Sequence, residues 1–160
     1  MIKKAIYAGS FDPVTFGHLD IIDQASRIFD QLIIGVGENH SKNKLFSLEE
    51  RIFLLQTATQ GFANVVVTSF GGLLVEFAAR ESVNHLVRGI RHCSDFDYEW
   101  QLQSLNSQLQ PTIHTVFLMP SEKVRPISAT FIKDIAFNGG NIDKFVPQQV
   151  AIAIKNKYKK

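Results

Sequence analysis

Apolar residues arrive along this chain in two alternating rhythms. Ala5-Ile6-Tyr7-Ala8 is a short unbroken run stopped by Gly9, as expected of a strand covered on both faces. Leu19, Ile22, Ala25, Phe29 and Leu32 then recur every three or four residues, which suits one face of a helix. Leu32 to Val36 is a second buried run, ended by Gly37. Ser47-Leu48-Glu49-Glu50 carries the capping-box pattern, and the helix it opens is predicted to reach about Gln60, with Gly61 near its end. Val65 to Phe70 reads as a third strand, Leu73 to Arg80 as a helix and Leu86 to Ile90 as a fourth strand. Ser94-Asp95-Phe96-Asp97 opens a helix that stops before Pro111, and Thr115 to Met119 is a fifth strand ended by Pro120. Ile127 to Phe137 reads as a helix, and Pro147 sits where the first turn of a C-terminal helix, over about 147–158, tolerates it.

Five alternations of strand and helix predict an α/β fold. The expected form is a single domain over residues 1–160, with a five-stranded parallel sheet and helices on both faces. In such sheets ligands bind beyond the carboxyl ends of the strands, where the strand order reverses. Composition supports this picture: 160 residues at 45% hydrophobic and 20% charged can bury a core. A net charge of +2 excludes the dense positive field of a DNA-coating protein. Lys155, Lys157, Lys159 and Lys160 are expected at a solvated helix end, where they complement the macrodipole.

The longest apolar runs are too short for a bilayer, and Met1-Ile2-Lys3-Lys4 leads straight into a strand without a signal peptide's apolar stretch. The single cysteine, Cys93, excludes an internal disulfide, so a soluble cytoplasmic protein is expected. His40, His85, His92 and His114 show no ligand spacing with Cys93, so a structural zinc site is not expected. The 13 phenylalanines are dispersed and read as core.

The chemistry should sit just after the strands. The first junction runs Gly9-Ser10-Phe11-Asp12-Pro13-Val14-Thr15-Phe16-Gly17-His18, and His18 falls at the start of the next helix. Backbone N–H groups and the positive end of a helix dipole favour phosphate there. A turn with His18 as a capping residue explains the same residues. Arg88 and Arg91 straddle Gly89 at the end of the fourth strand, a functional position, although isolated arginines also serve as surface ion-pair partners.

Gly9-Ser10-Phe11-Asp12-Pro13 followed by Thr15-x-Gly17-His18 resembles the signature of the nucleotidyltransferase superfamily. Four further stretches narrow the likeness. They are Ser41-Lys42-Asn43-Lys44-Leu45-Phe46-Ser47 before Leu48-Glu49-Glu50-Arg51, Arg88-Gly89-Ile90-Arg91, Asp97-Tyr98-Glu99 with Gln101-Leu102, and Ile127-Ser128-Ala129-Thr130. Together they resemble the bacterial phosphopantetheine adenylyltransferase family, collinearly over essentially the whole chain. The resemblance implies a Rossmann-like fold, a homohexamer, and Mg2+ accompanying ATP, while the sequence leaves any protein ligands of the magnesium open. It implies transfer of AMP from ATP to 4′-phosphopantetheine, giving dephospho-CoA and pyrophosphate in coenzyme A biosynthesis.

By that resemblance His18 stabilises the transition state at the α-phosphate, and Ser10 meets the reacting phosphates. Lys42, Arg88, Leu74 and Asn106 serve phosphopantetheine, Lys42 and Arg91 also counting among the catalytic cations. Phe11, Gly89, Ile90, Arg91 and Glu99 belong to the ATP side. Val124, Arg125, Pro126, Ile127, Ser128, Ala129 and Thr130 form a segment that closes over the nucleotide. Four positions depart from the family's pattern: Ser10 stands where threonine is usual, and Ala129 replaces a hydroxyl residue. Arg125-Pro126 replaces an aromatic-polar pair, and Gly72 lies where an acidic residue is frequent. The nearest alternatives are a nicotinate-nucleotide adenylyltransferase or a glycerol-3-phosphate cytidylyltransferase. A non-catalytic nucleotide- or RNA-binding module is the alternative from another class.

Overall fold

The computed structural model describes residues 2–38 and 44–159. The chain runs β1 (Lys4–Gly9), α1 (Phe16–Ile28), β2 (Gln31–Gly37), α2 (Leu48–Ala58), β3 (Val65–Phe70), α3 (Leu74–Arg80), β4 (His85–Gly89), α4 (Cys93–Leu109), β5 (His114–Leu118), α5 (Ala129–Phe137) and α6 (Gln148–Tyr158). All strands are parallel, in the order β3-β2-β1-β4-β5, so the α/β Rossmann-like expectation holds. The order reverses between β1 and β4, and this opens the crevice at their carboxyl ends.

Alternation within the strands divides the core in two. Ala5 and Tyr7 of β1, with Leu32, Ile34 and Val36 of β2, join Ile22, Leu55, Ile132 and Ile154 in the larger cluster beneath α1, α2, α5 and α6. Ile6, Ala8 and Ile33 point the other way, to Val75, Phe77 and Ala78 of α3 and to Leu86 and Ile113. Gly35 makes room on that face: a Cβ there would lie 2.9 Å from the Phe77 ring and 3.1 Å from Phe70, whose rings stack at 4.8 Å. The phenylalanines do not all pack inside, since Phe53, Phe131 and Phe137 are exposed.

The predicted elements are all present, with ends displaced by a few residues. α1 begins at Phe16 rather than Leu19 and stops at Ile28, because Phe29 turns extended and Leu32 belongs to β2. α5 starts at Ala129 rather than Ile127, and Ile127 is left buried in the preceding loop. Among the described residues no helix is long and apolar enough to cross a membrane. Helix α4 buries none of its 17 residues and leaves Tyr98, Trp100, Leu105 and Leu109 exposed.

Candidate functional site

Three neighbouring cavities open at the carboxyl ends of the strands. The largest, about 840 Å³, is walled by Ala8, Gly9, Ser10, Asp12, Lys44, Gly72, Leu74, Arg88 and Lys133 among others. A second, about 240 Å³, is lined by His18, Thr15, Gly17, Gly89, Arg91, Pro120 and Ile127 to Thr130. Ala129 and Thr130 line both, so the first turn of α5 is the partition between them. A third, about 130 Å³, is a narrow slot of Leu74, Leu86 and Leu102 with Gln103, Asn106, Thr115, Arg88 and Glu99. It adjoins the largest at Leu74 and Arg88.

The Thr15-x-Gly17-His18 stretch is the N-terminus of α1 and forms a capping box in which imidazole replaces the usual carboxylate. The His18 N–H donates to Thr15 Oγ1 at 3.3 Å, and the Thr15 N–H donates to His18 Nδ1 at 3.1 Å. Because Nδ1 accepts, a neutral ring carries its proton on Nε2. Burial and then the Arg91 guanidinium push the imidazolium pKa down to about 4. The ring is therefore neutral at physiological pH and keeps one N–H to donate. The capping role and a donor role thus use different nitrogens of one side chain.

This shift has a consequence for stability. The unfolded chain takes a proton on His18 near pH 6.5, whereas the folded protein resists it until about pH 4. The contribution of this ring is complete above about pH 6.5 and is lost as pH falls towards about 4. We expect the stability difference between the protein and its His18→Gln variant to shrink over that interval, as measured by urea unfolding at successive pH values. A constant difference would mean that the ring titrates normally.

The loop before α1 is held from below. Phe11 takes a left-handed backbone (φ 47°), unusual for a bulky residue, and its ring packs edge-on to Tyr7 at 5.4 Å and to His18 at 5.2 Å. Gly9 allows this, since a Cβ there would stand 3.2 Å from the Phe11 ring. Arg51 of α2, only 3% exposed, donates to the Ser10 carbonyl at 2.8 Å and to the Gly37 carbonyl at 3.0 Å. It thereby ties the ends of β1 and β2 together. Asp12, also buried, accepts from the Leu45 and Phe46 N–H groups at 2.9 Å each.

The other expected residues fall as follows. Ser10 is exposed on the wall of the largest cavity, and Arg88 lies between that cavity and the slot. Arg88 donates to Ala8 O at 2.9 Å and grips Glu99 with two nitrogens, the Nε contact being 2.6 Å. Glu99, expected on the ATP side, lines the slot with Arg88 and Asn106, and its charge also reaches Tyr7 on the wall of the His18 cavity. Asn106 and Leu74 both line the slot. Arg91 lines the His18 cavity, is 3.4 Å from the Asp95 carboxylate and donates to Ile127 O at 3.3 Å.

Gly89 lines the same cavity, and Ile90 beside it is buried, its N–H donating to Leu118 O. The Phe11 side chain is likewise core rather than cavity wall. Ile127, Ser128, Ala129 and Thr130 line the His18 cavity, whereas Val124, Arg125 and Pro126 line none of the three. Ser128 is the N-cap residue of α5 but makes no side-chain capping bond, so its hydroxyl is available to a ligand. Lys42, with His40, lies outside the described residues.

Sequence reasoning gave no role to Asp12, Arg51, Lys44 or Lys133, all of which support or line the largest cavity. Burial and the neighbouring Arg51 charge lower the Lys44 pKa, while the Asp12 carboxylate opposes that shift. The signal for the slot was present in the sequence: Glu99, Leu102, Gln103 and Asn106 recur at helical spacing on α4.

The arrangement pairs a neutral imidazole donor and an arginine in one cavity with cations in the next, across a helix N-terminus. This is a setting for two phosphate groups side by side. The fold matches that of a Vibrio parahaemolyticus protein whose proposed activity is that of a nicotinate-nucleotide adenylyltransferase. The TM-score is 0.76 at 17% identity, over 100% of this chain and 98% of that one. A family profile described as cytidylyltransferase-like matches residues 6–135, and the chain belongs to that family of nucleotidyltransferases.

Proposed function

We propose that this protein is a phosphopantetheine adenylyltransferase, moving AMP from Mg-ATP to 4′-phosphopantetheine to give dephospho-CoA and pyrophosphate. The observation that carries this reading is the narrow slot joined to the largest cavity at Leu74 and Arg88. Its three leucines and two side-chain amides suit a thin arm that carries amide groups, and its mouth lies beside a cationic cavity suited to a phosphate. In this reading the phosphate of the acceptor lies by Ser10, Arg88 and Lys42, and the arm runs past Leu74 to Asn106. The nucleotide occupies the cavity of His18, Gly89 and Arg91 under Ser128, Ala129 and Thr130.

The acceptor phosphate is ionised near neutral pH, and pyrophosphate is a stable leaving group, so neither a general base nor a covalent enzyme intermediate is needed. An acceptor oxygen bonds the α-phosphorus as the bond to the bridging oxygen of pyrophosphate breaks, in line. The protein's work is to hold two anions together and to stabilise charge on the equatorial oxygens. The His18 Nε2–H and the Arg91 guanidinium face that charge.

Among the described residues no three His, Cys, Asp or Glu side chains converge to hold a metal, and no carboxylate lines the His18 cavity. In this reading the magnesium ion enters on the nucleotide's own phosphates, and no step is assigned to a protein-held metal. The uncovered apolar residues of α4 support assembly with further copies, for which the family resemblance implies a hexamer. The expected compartment remains the cytoplasm, and the resemblance implies coenzyme A as a further ligand.

The second reading, a nicotinate-nucleotide adenylyltransferase, is favoured by the similar fold of the Vibrio protein. Pyrophosphate release with Mg-ATP should occur with phosphopantetheine, and not with nicotinate mononucleotide or with CTP plus glycerol 3-phosphate. Turnover of nicotinate mononucleotide alone would replace the first reading with the second. Salt-sensitive RNA binding without pyrophosphate release would point to a non-catalytic module.

A further inference from the structure

Lys133 lies one turn beyond Ala129 and Thr130 on α5, at i+4 and i+3, and so on the same face as the partition between the two larger cavities. Its Nζ is 3.2 Å from Asp12 Oδ2. That carboxylate is 5% exposed and already accepts two backbone N–H groups, from Leu45 and Phe46. One buried side chain thus joins three segments: the loop after β1, the chain entering α2 and the face of α5 that divides the cavities. Ile132 is the one fully buried residue of α5; one turn on, Ala136 packs half-buried against the same core, and Phe137 meets Tyr158 of α6 edge-on at 5.7 Å. These contacts follow Ile132 towards the C-terminal end of α5, and the ion pair of Lys133, about a quarter-turn from Ile132, adds a polar anchor on the face that carries the partition.

We propose that Asp12 and Lys133 are a positioning pair that sets the α5 partition relative to the His18 loop, and that catalysis depends on the pair through alignment of the two substrates. The proposal rests on the adenylyl-transfer reading above. Two anionic groups must meet across Ala129 and Thr130, so a small rotation of α5 changes their line of approach and acts on turnover more than on affinity.

The test uses the full chain with Asp12→Asn, Lys133→Met, Lys133→Arg and the double variant Asp12→Asn/Lys133→Met. Turnover of Mg-ATP with phosphopantetheine is measured, together with hydrogen exchange in peptides covering 44–47 and 129–137. Lys133→Met, which leaves both backbone bonds to Asp12 in place, should lower kcat roughly tenfold with both KM values within about threefold. It should also speed exchange in 129–137, and Lys133→Arg should recover much of both effects. The double variant should be no slower than Asp12→Asn alone.

A tenfold rise in KM for phosphopantetheine with kcat preserved would overturn the proposal, by making Lys133 a direct substrate contact. Additive losses in the double variant, or unchanged exchange in 129–137, would also overturn it. Absence of turnover in the unmodified protein would remove the adenylyl-transfer reading instead. The exchange data would still decide the pair: in 129–137 the double variant should match Asp12→Asn, and faster exchange than that would overturn it. If Asp12→Asn fails to fold, the Lys133→Met and Lys133→Arg comparison carries the decision alone.

Discussion

Replacing His18 by alanine is expected to lower kcat by roughly 10²–10³-fold while leaving the binding of both substrates largely intact, the loss typical of one preorganised donor. The prediction follows from where the proton sits. Nδ1 accepts from the Thr15 N–H, so Nε2 carries the hydrogen, and the low pKa keeps the ring neutral and its orientation constant. A donor fixed in this way costs no reorganisation when charge grows on the α-phosphate. The same change opens the capping box, which costs about 1 kcal/mol of stability, so kinetics are to be measured well below the unfolding temperature. Steady-state rates at saturating Mg-ATP decide the matter. A variant with near-normal kcat would remove His18 from the reaction.

The second large effect is on folding. Arg51→Met is expected to cost about 2–4 kcal/mol, read from urea or guanidinium unfolding, because the fork of Arg51 serves three carbonyl oxygens in a buried place. Methionine fills much of the volume but leaves the carbonyls of Ser10 and Gly37 without their donor. Arg51→Lys should recover only part of the loss, since one ammonium cannot span the same set of acceptors. Burial disfavours the charged form of this side chain, and the Asp12 and Glu49 carboxylates oppose that shift. A loss under about 1 kcal/mol for Arg51→Met would mean that the loop is held by other contacts.

The contrast between His18 and Arg51 explains what could be read in advance. Strands β1 and β2, buried on both faces, appear as continuous apolar runs, so their positions were legible to within a residue or so. Their neighbours in the sheet were not: nothing in the residues states that β1 lies between β2 and β4, because pairing is decided by packing of distant segments. The Thr15-x-Gly17-His18 stretch was legible as chemistry and as a cap, and the structure joins the two descriptions through the two ring nitrogens.

Asp12 and Arg51 were opaque for a different reason. A charged residue in a loop or on an amphipathic helix reads as solvated, and only the folded chain brings backbone groups to bury it. Glu99 shows a different limit of the sequence. The resemblance put it on the nucleotide side, but its ion pair with Arg88 beside Leu102 and Asn106 follows from the pitch of α4 and the end of β4, which only the folded chain brings together.

The unequal embedding of the cleft's walls bears on how such a protein could acquire new tastes. The His18 side rests on β1, the middle strand, where any change disturbs both neighbours at once. The slot's outer wall is α4, which buries nothing of its own. Residues such as Leu102, Gln103 and Asn106 can therefore be exchanged at small energetic cost, so under the proposed function the acceptor's tail is the part of the chemistry freest to change.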